Sequence, residues 1–227
     1  SPYLAKHASF DMMKLGEVRT YNDLLDILKK TPYYSIIKDQ KPDDNGNYNC
    51  TEIDILLKTY YVNWVKDAIK RDFSGTVQKD MLEITGILYD LSNVYNAFRY
   101  KAFSGADYEE ISHILFPVPS NITKFRFYEL MNTNTAEEYI NVLKNTGYGR
   151  RILSENPDIS RATINHDIEI LRNRFAKSYL RKSTNAAVSI YTILFLLTTE
   201  VKNIITIIEG IRYGVPVQSI EEMLVIV

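Results

Sequence analysis

Apolar positions along the chain recur at intervals of three and four, the spacing of one face of an α-helix. No segment shows sustained strict alternation with the turn signals of a half-buried strand. Ile53, Leu56, Leu57, Tyr60, Tyr61, Trp64, Val65 and Ala68 give one apolar and aromatic face to a helix of about four turns. Leu82, Ile84, Ile87, Leu88, Leu91, Val94, Tyr95 and Phe98 predict a long helix from Met81 to Phe103, ending near Ser104-Gly105. A second long apolar helix is predicted from about Asn185 to Tyr213, with a break at Gly214 to Pro216. Pro2 to Gly16 is weakly helical in spacing. Lys41 to Asn49, with Pro42, Asp43, Asp44, Asn45 and Gly46, reads as a surface loop.

Helix starts are marked by side chains that satisfy free backbone amides. Thr20 with Asp23 and Thr135 with Glu138 predict capped helices, and Asp107 with Glu110 opens a short one running to Leu115. Ser219 with Glu222 is predicted to cap a last short helix. Helix stops are expected at Thr31-Pro32 and Thr146-Gly147, where a donor is lost or positive φ is tolerated. The fold class is all-α.

These elements occur twice. Leu28-Lys29-Lys30-Thr31-Pro32-Tyr33 returns as Leu143-Lys144-Asn145-Thr146-Gly147-Tyr148, and the offset of 115 positions holds without a gap to Ile53-Asp54-Ile55-Leu56 and Ile168-Glu169-Ile170-Leu171. Ten of the 29 aligned pairs from Leu28 to Leu56 are identical, too many for unrelated segments. Asp90-x-x-Asn93 pairs with Glu200-x-x-Asn203 at an offset of 110, so the spacer has lost residues. Two tandem helical modules are predicted, 1–115 and 116–227, the first lacking its opening half because Ser1 falls partway through a unit. Stacking such units buries apolar surface that an isolated helix pair leaves in water.

Composition narrows the function more than the fold. The 227 residues are 45% hydrophobic and 24% charged, ordinary for a soluble globular protein. A formal net charge of −1 gives no field to attract a polyanion, which argues against a dedicated nucleic-acid binder. The 17 tyrosines suit interfaces as well as cores. A lone Cys50 forms no internal disulfide, which points to a reducing compartment or leaves the question open. The first residues lack the layout of a signal peptide. The longest apolar run, Ala186 to Leu197, is interrupted by Ser189 and Thr192 and falls short of the roughly 20 residues that span a bilayer. We read it as a buried helix of a soluble protein.

No catalytic constellation is visible. His7, His113 and His166 lie far apart without zinc-ligand spacing, and Gly147-x-Gly149 opens no phosphate-binding loop. Gly147 reads as a helix stop. Cys50 has no histidine at a suggestive spacing, and no carboxylates stand out as a buried pair. No cofactor or metal is expected. Candidate partner contacts come from differences between the copies. Arg99 with Lys101 and Arg212 with Tyr213 sit at the ends of the two long helices, where arginine also answers the helix dipole. Arg150 and Arg151 are cations gained by the second copy, through drift on a solvent face or through contact. Arg172, Arg174, Lys177, Arg181 and Lys182 read as a solvated basic face.

The repeated Leu-x-x-Thr-x-Tyr, Ile-Asp/Glu-Ile-Leu and Asp/Glu-x-x-Asn motifs resemble those of the socket subunit of archaeal- and vacuolar-type rotary ATPases, called C or d. The resemblance covers almost the whole chain. It implies an all-helical, funnel-shaped fold of three similar modules, two of which are present here. It also implies a non-catalytic role, with the protein seated on the cytoplasmic face of the membrane proteolipid ring. There it would receive the central shaft and transmit torque for ion transport. The expected partners are the shaft subunits and the ring, with no transmembrane segment and no nucleic acid. The alternative is a free-standing helical-repeat scaffold that binds peptides or proteins in a groove. An enzyme using Cys50 or His166 is a third reading.

Overall fold

The computed structural model describes residues 9–105 and 107–226, and every described element is helical. Tyr3, Leu4 and His7 lie outside the described residues. Of the predicted Pro2 to Gly16 helix, the described part forms a 3-10 turn, Met12–Glu17, opened by the Asp11 carboxylate. The chain forms two compact units, Ser1–Val65 and Lys66–Val227.

In the first unit, helix α1 (Tyr21–Leu28) starts from the predicted box: the Asp23 amide donates to Thr20 Oγ1, and the Thr20 amide to Asp23 Oδ2. Thr31 does more than stop it. Its hydroxyl donates back to the Leu28 carbonyl at 2.8 Å, and it forms the N-cap of helix α2 (Pro32–Ile37). Pro32 is the first residue of that helix, where a missing amide costs nothing. Tyr21 stacks on Tyr48 at 3.8 Å and donates to the Ile37 carbonyl, closing the unit around buried Leu28 and Ile37. In the predicted loop, Asp43 Oδ1 accepts from the amides of Asn45 and Asn47, and Gly46 takes positive φ. Helix α3 (Cys50–Asp72) begins in this unit and ends in the next. It buries Val62 and Ile69, but Tyr61 and Trp64 are more than half exposed, so its aromatic face is not wholly core.

The second unit is built on two long helices, α4 (Gly75–Ser104) and α10 (Ala186–Arg212). Between them run α5 (Tyr108–Ile114), α6 (Lys124–Met131), α7 (Ala136–Lys144), α8 (Gly147–Leu153) and α9 (Ile164–Lys182), and α11 (Val217–Met223) follows. The core lies where Ile87, Leu91, Val94, Ala97 and Phe98 of α4 meet Tyr139 and Leu143 of α7, Tyr148 of α8 and Ile168 of α9. Across α4, Ile84 and Leu88 pack on Ala176 of α9 and on Tyr191 and Phe195 of α10. Gly105 and Gly214 stop or follow the two long helices with left-handed backbone, φ 62° and 68°, where a Cβ is disfavoured.

Three local expectations need correction. Gly147 opens α8 instead of ending a helix: α7 stops at Lys144, and Thr146 turns the chain by donating to the Leu143 carbonyl and accepting from the Gly149 amide. Ser219 lies inside α11, because Pro216 already holds the N-cap position with its fixed φ. The Ala186 to Leu197 segment belongs to a 27-residue helix that is largely exposed, not buried; Val188, Thr192, Thr199 and Gly210 are its buried residues.

Candidate functional site

The repeated motifs converge on a polar joint beneath α4. Asp90 is 1% exposed, and its Oδ2 accepts from the Asn121 amide at 2.7 Å and from the Tyr148 hydroxyl at 2.9 Å. Asn121 Nδ2 in turn donates to Tyr148 Oη at 2.9 Å. One turn along α4, Asn93 brackets Phe116: its Nδ2 donates to the carbonyl at 3.1 Å and its Oδ1 accepts from the amide at 2.7 Å. Tyr139, fully buried, donates to the Val94 carbonyl at 2.9 Å. Asp-x-x-Asn and Thr-x-Tyr are therefore two halves of one lock, which fastens the long helix to the helix pair that follows it. Satisfied polar groups in a core fix one packing arrangement, because slippage leaves each of them unpaired.

Burial dominates the electrostatics of this joint. It raises the Asp90 carboxyl above its usual 3.8, against the opposing hydrogen bonds from Asn121, Ser120 and Tyr148. The Tyr148 hydroxyl is raised first by burial and then by Asp90, so it stays a donor.

Beside the joint a cleft of about 730 Å³ opens over Ile87, Leu171 and Phe175. Asp80 and Glu83 line it together with Arg151, Arg174 and Lys182. The Arg151 guanidinium lies 4.7 Å from the Phe175 ring centre, and Arg174 pairs with Glu155. Burial and then Glu83 raise the Tyr179 hydroxyl. Both signs of charge around an apolar floor suit a polypeptide partner.

The basic face of α9 is therefore only partly solvated. Arg172 pairs with Glu169 at 2.7 Å and lies 5.2 Å from the Phe195 ring centre. The other singled-out residues lie on three different helix ends. Arg99 and Lys101 occupy the last turns of α4, with Arg99 exposed and 5.9 Å from the Tyr95 ring. Arg150 and Arg151 are exposed in the last turn of α8, and only Arg151 lines the cleft. Arg212 ends α10, with Tyr213 as its C-cap and 74% exposed. Cys50 is exposed at the first turn of α3, while His113 and His166 lie in α5 and α9. Among the described residues, no group of three or more His, Cys, Asp or Glu side chains comes together to hold a metal.

One surface feature was missed by periodicity. Leu197, Val201, Ile204, Ile207 and Ile208 of α10 are between 36% and 60% exposed, an apolar stripe far longer than an isolated surface residue. Among the described residues α10 is also the one helix long and apolar enough to cross a membrane, although Glu200 and Lys202 interrupt it. A signal did exist: the helix is apolar on nearly all sides, more than one neighbour can cover.

Fold and surface together define an all-helical protein with a buried polar lock beneath one long helix and an exposed apolar face on the other. The chain belongs to the ATP synthase (C/AC39) subunit family, whose sequence model matches residues 2–223. It is similar to the C subunit of the A-type ATP synthase of Methanosphaera stadtmanae, 23% identical over 221 residues, which are 94% of this chain and 56% of that protein. The corresponding A-type ATP synthase protein of Methanocaldococcus jannaschii is 21% identical over 218 residues, 94% of this chain and 54% of that protein. The chain thus spans about half the length of the curated relatives it matches. No solved structure matches it significantly.

Proposed function

We propose that the chain serves as the central-stalk socket of an A/V-type rotary ATPase, linking the rotor shaft to the membrane proteolipid ring and passing torque between them. The family match over residues 2–223 carries this reading. The protein performs no chemistry of its own and sits peripherally on the cytoplasmic face, held through the ring. Its two modules, 1–115 and 116–227, form part of a funnel. Torque transmission needs a body that does not yield, and close-packed helices locked by buried hydrogen bonds resist deformation. It also needs a contact that does not slip. Arg150 and Arg151, with Arg99, Lys101, Arg212 and Tyr213, supply cations and an aromatic ring for acidic partner faces.

Affinity purification of the tagged chain from gently solubilised membranes tests this. The expected co-purifying proteins are the shaft subunits, the proteolipid and the ATP-hydrolysing head. Recovery without any of them refutes the reading. The charged cleft over Phe175 favours one alternative, a helical-repeat scaffold that binds a peptide in a groove. Arg151→Glu separates the two: as a socket the variant weakens binding to the rotor, and as a scaffold it releases a soluble partner instead.

A further inference from the structure

The loop between α2 and α3 carries a chemically reactive pair. Asn45-Gly46 is the one place in the sequence where glycine follows asparagine. Asparagine is a labile residue because the next backbone nitrogen can attack its carboxamide carbon, and a Cβ on that next residue stands in the way. Gly46 has none. The offset of 115 carries Asn45 and Gly46 to Ser160 and Arg161, which offer neither the carboxamide nor the bare α-carbon.

The loop presents this pair to water, since residues 41–47 are all exposed. The Gly46 amide donates to the Asp43 carbonyl at 2.9 Å, closing a turn with Asp44 and Asn45 at its centre and Gly46 at φ 83°. Asp43 Oδ1 is engaged by the amides of Asn45 and Asn47 at 2.9 and 2.8 Å. Among the described residues, none holds the Asn45 carboxamide by a hydrogen bond.

Comparable asparagines are shielded. Asn47 and Asn49 precede Tyr48 and Cys50, whose Cβ atoms crowd the attacking nitrogen, and Asn49 Oδ1 also accepts from the Glu52 amide at 3.1 Å. Asn156 lies in the segment that matches this loop at the offset of 115, but it precedes Pro157, which has no amide hydrogen to lose. Its Nδ2 is also held, donating to both Asp167 carboxylate oxygens at 3.0 and 3.1 Å.

We propose that Asn45 is a site of spontaneous modification, deamidating to aspartate and isoaspartate in the folded chain without an enzyme. As the turn opens, the Gly46 nitrogen gives up its proton and attacks Asn45 Cγ. The new N–Cγ bond closes a five-membered imide, the Cγ–Nδ2 bond breaks, and Nδ2 takes up a proton and leaves as ammonia. Water then opens the ring. Attack at Cγ leaves aspartate, and attack at the main-chain carbonyl leaves isoaspartate, whose backbone is one methylene longer. Either product adds a negative charge beside Asp43 and Asp44. The longer backbone also spoils the bracket in which the Asp43 amide donates to the Asn47 carbonyl at 2.8 Å. The native turn ties up the Gly46 amide, so the folded chain reacts more slowly than a free peptide. The proposal does not depend on a role in a rotary motor.

Incubation of the whole chain for several weeks at body temperature, sampled by peptide mass spectrometry, tests it. The tryptic peptide from Asp39 to Lys58 is expected to gain about one dalton, the difference between a carboxyl and a carboxamide, with the gain placed on residue 45 by fragmentation. It is expected to elute as two products, aspartate and isoaspartate. Conversion should be faster at mildly alkaline than at neutral pH, because the attacking nitrogen must first lose its proton. Asn45→Ser, which installs the residue found at position 160, is expected to remove the change. A synthetic peptide of the same sequence reports the chemistry without the fold and should convert several-fold faster. A folded chain whose Asn45 stays intact while the peptide converts overturns the proposal. So does a gain that falls first on Asn47 or Asn49, or one that persists unchanged in Asn45→Ser.

Discussion

Asp90 is the residue at which the structure and its energetics are most tightly joined. Its carboxyl is raised by burial, so the folded chain holds its proton more tightly than the unfolded chain does. Its contribution to stability is therefore fullest below the ordinary value of 3.8 and is lost as pH rises through the raised one. Asp90→Asn keeps an oxygen acceptor and removes the titration. Urea unfolding across this range should show the variant gaining on wild type as pH rises, and a constant difference would contradict the assignment. Gly149 is constrained by space instead of charge: an added Cβ would lie 1.9 Å from the Leu143 carbonyl oxygen. Gly149→Ala should force α7 from α8 and cost more than about 2 kcal/mol in the same assay. Neither role was legible in advance. Sequence marks Asp90 as recurrent, but only folding brings Asn121 and Tyr148 to it, and an acidic residue in a helix otherwise reads as surface.

At the scale of elements, the caps and periodicities were readable because they act within one turn of helix. The Asp107-Glu110 box forms in both directions, as the spacing required. Gly147 misled because a helix stop and the start of the next helix can share a residue type. The basic run in α9 misled because Glu169, Glu155 and Phe195, which engage its arginines, are supplied by other turns and other helices. The Asn latches give a paired test. Asn93→Ala strands the amide and carbonyl of Phe116, and should cost roughly 2–3 kcal/mol because Asn93 is 5% exposed. Asn203→Ala strands the same groups of Val225 at a half-buried site and should cost less, roughly 1–2 kcal/mol. No loss of stability from either substitution in urea unfolding would mean that the latches are not equivalent parts of a repeated joint.

At the scale of the whole molecule, identities at a fixed offset were visible in the sequence, and the three-and-four spacing of apolar positions foretold an all-helical fold. What it hid was burial. Leu88 and Ile204 look alike in a periodic pattern, yet one is buried by neighbouring helices and the other faces outward. Periodicity reports that a face is apolar, not whether anything covers it. That distinction separates a protein whose long helices are core from one whose surfaces exist to be covered by partners, as the proposed role requires. The decisive measurement is ATP-driven ion uptake by membrane vesicles depleted of this protein, recorded alongside ATP hydrolysis. The socket role predicts that hydrolysis persists while ion uptake collapses and returns when the chain is added back. Ion uptake undiminished by its removal would contradict it.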